Sequence, residues 1–402
     1  MTPDSIGRTV RHEASAGPPD EVTQSETDSR HRDDGLGSVA LVHDYLNQRG
    51  GAERVVLEMT RMWPAAPLYT SLYRQGSVFP EFAAADVRTT FLDRVPLDEG
   101  FRMLAPALPL AFRSLGALDH DVVISSSSGW AHGVRTSSES THVVYCYAPA
   151  RWLYSADQYF VGGDRRRPPA IVTRGLRSWD RRAAGRADVY IAIAENVRDR
   201  IRGAYGIEAE VVYPPVDTLR FDPRPRGERL LAIARFLPYK RIDLILSACN
   251  RLGVGLDIVG DGPLRHELRD LAGPTVSFHG VVSDPVLHEL IEGCSAVCMP
   301  GVEDFGIVAL EGNAAGKPAL AFAGGGAVET IRDGVNGVLF ATPTVESVVE
   351  AIYRLDVIDS DPTALAAAAE RFSVERFRNA LTSKVRTAVE HRRNGGTAEP
   401  HS

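Results

Sequence analysis

The chain has 402 residues, of which 44% are hydrophobic and 24% are charged. Because a domain usually takes roughly 100 to 200 residues, this length predicts about two to four domains, and two is the simplest count. The composition is typical of a globular protein and excludes a wholly disordered, collagenous or membrane-embedded chain. With 52 acidic and 45 basic residues the net charge is -7, so nucleic acid is not an expected partner.

The sequence shows neither an export signal nor a membrane-spanning segment. Its apolar runs fall short of the ~18 residues that crossing a bilayer requires, and no apolar signal core stands near the first residue. The four cysteines have neither zinc-ligand spacing nor a disulfide framework, which is typical of a reducing compartment. We therefore expect a cytoplasmic protein, in which any membrane contact is peripheral and at the inner membrane face.

Short apolar runs alternate with helical patterns along most of the chain. The predicted strands cover, in chain order, residues 39–42, 122–125, 143–146, 189–193, 230–233, 256–259, 276–278, 296–299 and 318–322. Continuous apolar strands separated by helices are typical of parallel sheets that are covered on both faces. The pattern therefore predicts an α/β protein built on open parallel sheets.

A Pro214-Pro215 pair interrupts this series, and proline continues neither a strand nor a helix. We place a hinge there, between two facing Rossmann-like domains over residues 38–213 and 214–373. A helix over residues 374–391 follows, and polar residues 1–37 and 392–402 are predicted to be a disordered leader and tail. Ligands of such sheets bind at the carboxyl ends of the strands, which here would face one cleft between the domains.

The strongest motif follows the predicted strand that ends at Met299. Glu303 is predicted in the loop at the carboxyl end of this strand, and Glu311, eight residues later, lies roughly above the start of the following helix. Both carboxylates can therefore face one ligand and accept hydrogen bonds from sugar hydroxyls. The amides at the helix start are suited to a phosphate, and they belong to Phe305, Gly306, Ile307 and Val308. This combination favours a nucleotide sugar. In the alternative interpretation, Glu303 and Asp304 only cap the helix.

A cationic motif follows the predicted strand at residues 230–233. Arg235 and Lys240 flank a turn at its carboxyl end, where fixed cations can neutralise a diphosphate as magnesium does in metal-dependent transferases. The alternative, a solvated basic helix start, is awkward because cations disfavour a helix N-terminus. We expect neither a bound metal nor a cofactor.

Two further motifs lie on the N-terminal side of the predicted cleft. Gly50 and Gly51 allow close approach of backbone to a ligand before another helix, although a plain turn would explain them as well. His132 stands in a loop rich in glycine and serine, where it could bind hydroxyls or move a proton. Many histidines in such positions are structural, so both interpretations stay open.

A basic segment runs from Arg165 to Arg186. It could contact an anionic lipid surface or a lipid diphosphate, or it could be a solvated helix face.

Taken in order and spacing, these motifs resemble those of the retaining family-4 glycosyltransferases of the two-domain GT-B type, over about residues 39–391. The family's E-x7-E signature matches Glu303 and Glu311, its cationic pair matches Arg235 and Lys240, and its Gly-Gly loop is similar to Gly50-Gly51. The resemblance implies that Glu303 contacts the donor sugar, Glu311 the ribose, the two cations the diphosphate, and His132 the transferred sugar. Residues 235–243 and 303–330 look most like mannosyltransferases that use GDP-mannose for surface polysaccharides.

The resemblance implies transfer of a hexose from a nucleoside diphosphate sugar to a glycan or lipid-linked acceptor, with retention and without a metal. A nucleotide-sugar epimerase on the same fold and a non-catalytic sugar-binding protein remain alternatives. An NAD-dependent oxidoreductase is weaker, because neither half carries a complete G-x-G-x-x-G fingerprint.

Overall fold

The computed structural model describes residues 35–95, 107–155, 169–358 and 361–395. Residues 1–34 of the predicted leader, residues 396–402 of the predicted tail, and the arginines at 165–167 lie outside the described residues. The described residues from Leu36 onward belong to one unit, which contains two large parallel sheets and one two-stranded parallel sheet, together with helices. This arrangement confirms the predicted α/β fold class.

The strands of the N-terminal domain are β1 (Val39–His43), β2 (Leu68–Thr70), β3 (Val87–Thr89), β4 (Ala117–Leu118), β5 (Val122–Ser127), β6 (Arg135–Thr136), β7 (Thr141–Cys146), β8 (Val189–Ala192) and β9 (Glu210–Val211). Seven of these strands form one parallel sheet in the order β3-β2-β1-β5-β7-β8-β9, and β4 pairs with β6. The helices are α1 (Gly51–Met62), α2 (Leu108–Ser114), α3 (Arg151–Tyr154), α4 (Ala170–Ala184) and α5 (Glu195–Tyr205).

Alternate residues of the central strands face two different hydrophobic clusters. Leu41 and Ile124 lie in one cluster, whereas Val42 and Val123 lie in the other. Every residue of β5 and β7 is buried, as a strand covered on both faces requires. The continuous apolar runs in the sequence follow directly from this burial.

The strands of the C-terminal domain are β10 (Leu230–Ile233), β11 (Leu256–Val259), β12 (Val276–Gly280), β13 (Ala296–Met299), β14 (Ala319–Phe322) and β15 (Gly337–Phe340), in the spatial order β12-β11-β10-β13-β14-β15. The helices are α6 (Ile242–Leu252), α7 (Arg265–Leu271), α8 (Asp284–Gly293), α9 (Ile307–Ala314), α10 (Ala327–Thr330), α11 (Val345–Leu355), α12 (Pro362–Ala369) and α13 (Val374–Arg393). The loops after β10, β13 and β14 carry the motifs singled out above.

The chain passes between the domains twice, and the two connections lie side by side. The Val216 N–H donates to the Phe372 carbonyl at 2.8 Å. Helix α13 then packs on the N-terminal sheet, where the Phe377 ring lies 5.7 Å from that of Tyr145. The last helix is therefore part of the hydrophobic core of the N-terminal domain.

Within the described ranges, no helix combines the length and the apolar character that crossing a membrane needs.

Leu381→Ala should lower the free energy of unfolding by about 2 to 5 kcal/mol, because Leu381 is fully buried where α13 meets the N-terminal core. Denaturant unfolding measures the loss. Asn379→Ala, at an exposed position of the same helix, is the matched control and should change stability little. Equal midpoints for the two variants would show that α13 does not pack on this core.

Candidate functional site

Three loops at the carboxyl ends of C-terminal strands pack backbone against backbone. A Cβ atom at Gly301 would lie 2.2 Å from the Tyr239 carbonyl oxygen, and one at Gly325 would lie 2.1 Å from that of Glu303. Gly325 also has a φ of +61°, and the next amide, of Gly326, donates to Glu303 at 2.8 Å. Glycine is thus required at these positions to bring the motif-bearing loops after β10, β13 and β14 together.

Lys240 and Glu303, the side chains predicted to bind the diphosphate and the sugar, contact each other on this surface. The Lys240 ammonium group contacts the Glu303 carboxylate, and each side chain is about four-fifths buried. Burial alone would lower the pKa of Lys240, but the Glu303 carboxylate overcomes this effect and leaves that pKa raised. Lys240 is therefore a permanent cation at the carboxyl edge of the sheet.

Helix α9 begins beside this pair with Gly306 in a left-handed conformation at its N-cap, φ +95°, and no side chain caps the helix. The Phe305 ring is buried and stacks on Tyr213 at 5.6 Å. Ile307 turns toward the other domain, where a Cβ at Gly51 would lie 3.1 Å from its Cδ1. The side chains thus anchor the loop, and only backbone remains for the ligand contacts predicted at Phe305, Gly306, Ile307 and Val308.

The Gly-Gly loop of the N-terminal domain holds a buried carboxyl group. Gly50 is the N-cap of α1, and a Cβ there would lie 2.6 Å from Oε2 of Glu53. The Gln48 amide donates to the Glu53 carboxylate at 3.1 Å and accepts from Arg235 at 3.5 Å. Burial raises the pKa of Glu53 to about 7, against the effects of its own N–H, Gln48 and Arg235. The predicted cation Arg235 therefore reaches the opposite domain beside the glycines.

Glu311, the residue predicted to bind the ribose, lies one turn into α9, and its side chain is 11% exposed. Burial raises the pKa of this carboxyl group, and the guanidinium groups of Arg54 and Arg220 oppose that shift. Arg54 belongs to α1, so this carboxylate also faces the opposite domain.

His132 is placed differently. Its side chain is 3% exposed, with Nδ1 3.3 Å from the Ser127 hydroxyl and Nε2 3.0 Å from Oδ1 of Asp180 in α4, a contact that lacks the alignment of a hydrogen bond. The ring thus lies inside the N-terminal domain, apart from the contacts that join Lys240 and Glu303. A catalytic role for His132 stays a prediction.

The loop before His132 is organised by Asp44, which directly follows β1. Its carboxylate accepts hydrogen bonds from the amides of Ser128, Trp130 and Ala131 at 2.5 to 2.8 Å. Sequence reasoning passed over Asp44, although an acidic residue at the end of a buried strand was a usable signal.

Two acidic residues of the C-terminal domain bind the N-terminal domain where the two domains meet. We call this contact the seam; it is formed by Arg151, Glu195, Asn196, Arg200, Asp304 and Glu329. The Asp304 carboxylate contacts both Arg151 and Arg200. Burial would raise the pKa of Asp304, but the two guanidinium groups hold it below its ordinary value. Glu329 accepts hydrogen bonds from the amides of Glu195 and Asn196, at 2.8 and 3.0 Å, and so caps α5 across the seam. The interpretation of Asp304 as a mere cap of its own helix is therefore wrong.

Comparison with known proteins places the chain in a family. The family model "Glycosyltransferase Family 4" matches residues 49–220, and "Glycosyl transferases group 1" matches residues 219–371. The two-domain α/β architecture, with the motifs at the carboxyl ends of the C-terminal strands, defines a GT-B glycosyltransferase fold. The chain belongs to the family-4 glycosyltransferases of the GT-B type.

Two curated relatives are mycobacterial. A GDP-mannose-dependent alpha-(1-6)-phosphatidylinositol monomannoside mannosyltransferase of Mycobacterium tuberculosis is 33% identical over 48% of this chain and 59% of its own length. A D-inositol 3-phosphate glycosyltransferase of Mycobacterium bovis is 28% identical over 68% of this chain and 63% of its own length. The chain thus spans about three-fifths of the length of these relatives.

Two solved structures share the fold. Anabaena HepE in complex with UDP and glucose superposes with a TM-score of 0.67 and 19% identity, over 87% of this chain and 100% of HepE. The sucrose-phosphate synthase of Thermosynechococcus elongatus gives a TM-score of 0.68 and 15% identity, over 87% and 98% of the two chains.

Asp304→Asn should destabilise the protein at pH 7 by about 3 kcal/mol, because it leaves two seam arginines without their anion. Since the folded-state pKa of Asp304 is lowered, its contribution is present above the ordinary pKa and is lost as pH falls through the lowered value. Unfolding curves of wild type and variant should therefore differ at pH 7 and converge in acid. Asp199→Asn, at an exposed position of α5 beside Arg198, is the control and should have little effect.

Proposed function

We propose that the protein transfers a hexose from a nucleoside diphosphate sugar to a hydroxyl of a glycan or lipid-linked acceptor. The observation that carries this proposal is the Lys240–Glu303 pair, which lies on glycine-packed loops at the carboxyl edge of the sheet. The uncapped start of α9 lies beside it. A cation and free amides suit a diphosphate, and a carboxylate suits sugar hydroxyls, so the three features together match the two halves of such a donor.

The chemical step breaks the bond between the anomeric carbon and the phosphate oxygen, and the electron pair goes to the diphosphate. Arg235, Lys240 and the amides at the start of α9 would meet the developing charge without reorganising, so a divalent metal is not required. The acceptor oxygen bonds to the anomeric carbon and gives its proton to the departing phosphate oxygen.

We further propose that this attack occurs on the face from which the diphosphate departs. A retaining glycosidase uses a carboxylate nucleophile, and the sequence identifies no residue for that task. Attack on the same face retains the anomeric configuration without a covalent intermediate. Enclosure of the donor between the domains would exclude water and suppress hydrolysis.

For the donor we propose GDP-mannose, with use in polysaccharide or glycolipid synthesis. Support comes from the motifs at residues 235–243 and 303–330 and from the mannosyltransferase named above, at 33% identity. The UDP-bound fold neighbour supports a nucleotide sugar in general.

Lys240→Met should lower kcat by about 10² to 10³, the usual cost of removing one stabiliser of transition-state charge. Turnover is measured with GDP- and UDP-sugars in EDTA, and Lys384→Met, at a distant lysine of α13, is the control. Wild-type turnover that vanishes in EDTA and returns with manganese would contradict the metal-free step. An epimer formed from donor alone would favour the epimerase, and no nucleotide binding would favour a non-catalytic protein.

We also propose that α4 contacts an anionic membrane surface. Ile171 is 81% exposed, and Arg174 and Arg182 are exposed along the same helix. Arg177 and Arg181 are exposed as well, but their guanidinium groups donate to the carbonyls of Leu153 and Ala204 in neighbouring elements. An exposed aliphatic residue beside exposed cations suits peripheral binding.

Arg174→Glu combined with Arg182→Glu should weaken sedimentation with phosphatidylglycerol-containing vesicles at low salt by at least tenfold, since each basic residue near such a surface contributes about 1 kcal/mol. Arg251→Glu, exposed on α6 of the other domain, is the control. Equal binding of both variants would contradict the assignment to α4.

A further inference from the structure

Arg54 is a cation of the N-terminal domain that reaches the C-terminal domain. Its guanidinium lies 3.6 Å from the Glu311 carboxylate and 3.8 Å from that of Asp284 at the start of α8. The same group lies over the Phe79 ring, 5.2 Å from its centroid. A buried aromatic ring on one side and two carboxylates on the other therefore fix its position.

The placement of Arg54 follows from how two helices meet. The first residue of α1, Gly51, lies against the first residue of α9, Ile307. Arg54 is three residues further along α1 and Glu311 is four further along α9, so each side chain is about one turn beyond the contact. The glycine allows the helices to approach closely enough for the two charges to face each other.

Arg54 is one of four charged groups that affect the pKa of the Glu311 carboxyl group. Burial raises this pKa. Arg54 and Arg220 lower that pKa, whereas Asp284 and Asp217 raise it further, so two cations oppose two carboxylates around one buried group. Arg220 itself lies 3.7 Å from Asp284. Arg54 is the member of this set that the opposite domain supplies.

We propose that Arg54 is a positioning residue of the donor site, which holds the Glu311 carboxylate in place for the ribose hydroxyls of the nucleotide. This inference rests on the proposed role of Glu311 in donor binding. Arg54 and Glu311 belong to different domains. Arg54 can therefore hold the Glu311 carboxylate toward the ribose hydroxyls only when the starts of α1 and α9 are in contact. Donor affinity is thereby coupled to the closed arrangement of the cleft.

The central test compares a nucleotide with its 2′,3′-dideoxy form. Calorimetry with GDP, or with UDP if it binds more tightly, should show about tenfold weaker binding to Arg54→Met, the loss expected for one charge-assisted contact. The dideoxy nucleotide lacks the hydroxyls that Glu311 accepts from, so it should bind wild type and Arg54→Met about equally. An equal loss on both nucleotides, or no loss on either, would overturn the proposal.

Matched variants separate this role from a structural one. Arg61→Met, on the same helix but paired with Glu58, should bind GDP as wild type does. Arg54→Lys keeps the charge and should recover part of the affinity. If Glu311→Gln binds GDP normally, the proposed donor site itself fails, whereas weak binding by Glu311→Gln with normal binding by Arg54→Met removes only the role of Arg54.

The pH dependence of GDP binding is an independent test, because Arg54→Met and Asp284→Asn should shift it in opposite directions. Arg54→Met removes a group that lowers the pKa of Glu311, so affinity should be lost at higher pH than in wild type as the solution is acidified. Asp284→Asn removes a group that raises the same pKa, and its loss should come at lower pH. Identical acid limbs in all three proteins would contradict the coupling.

Discussion

The Asp304 carboxylate lies at the seam of the two domains and binds an arginine from each of two N-terminal helices, Arg151 of α3 and Arg200 of α5. A buried anion is tolerated there because both cations are in place, and each cation is tolerated because of the anion. Asp304 is also the residue next to Glu303, which contacts Lys240. The position of the candidate donor site relative to the opposite domain therefore depends on a neighbouring charge that takes no part in the proposed chemistry.

Close backbone packing is the second constraint on the site. Gly301 and Gly325 occupy positions where a Cβ would lie little more than 2 Å from a carbonyl oxygen of a neighbouring loop. Three loops from separate strands thus behave as one layer, and a shift of one loop must displace the others. Preorganisation of this kind favours any site in which fixed charges stabilise a leaving group.

The sequence predicted the fold class and most central strands because buried parallel strands are continuous apolar runs. It missed β2, β3, β4, β6, β9 and β15, which are two to four residues long and give no distinct period. Among site residues, the sequence drew attention to Lys240 and Glu303, which the structure brings into contact. It did not indicate that the His132 ring would lie against Asp180, or that Arg54 and Glu329 would contact the opposite domain, because those contacts join elements distant in the chain.

The partners of Arg54 illustrate the limit of sequence reasoning. An E-x7-E spacing describes one loop and the helix that follows it, whereas the cation facing its second glutamate comes from a helix about 260 residues earlier. Motif spacing carries information about a single element, but charge balance around a buried group depends on every element packed against it.

Helix α13 completes the core of the domain that the ribosome makes first. Residues between Phe377 and Val389 fill the space against the N-terminal sheet, yet they are translated after the whole C-terminal domain. The C-terminal domain is thus an insertion between the two parts of its neighbour, and the nascent N-terminal sheet must wait with one apolar surface uncovered until the last helix emerges. Cotranslational folding should accordingly finish the second domain before the first.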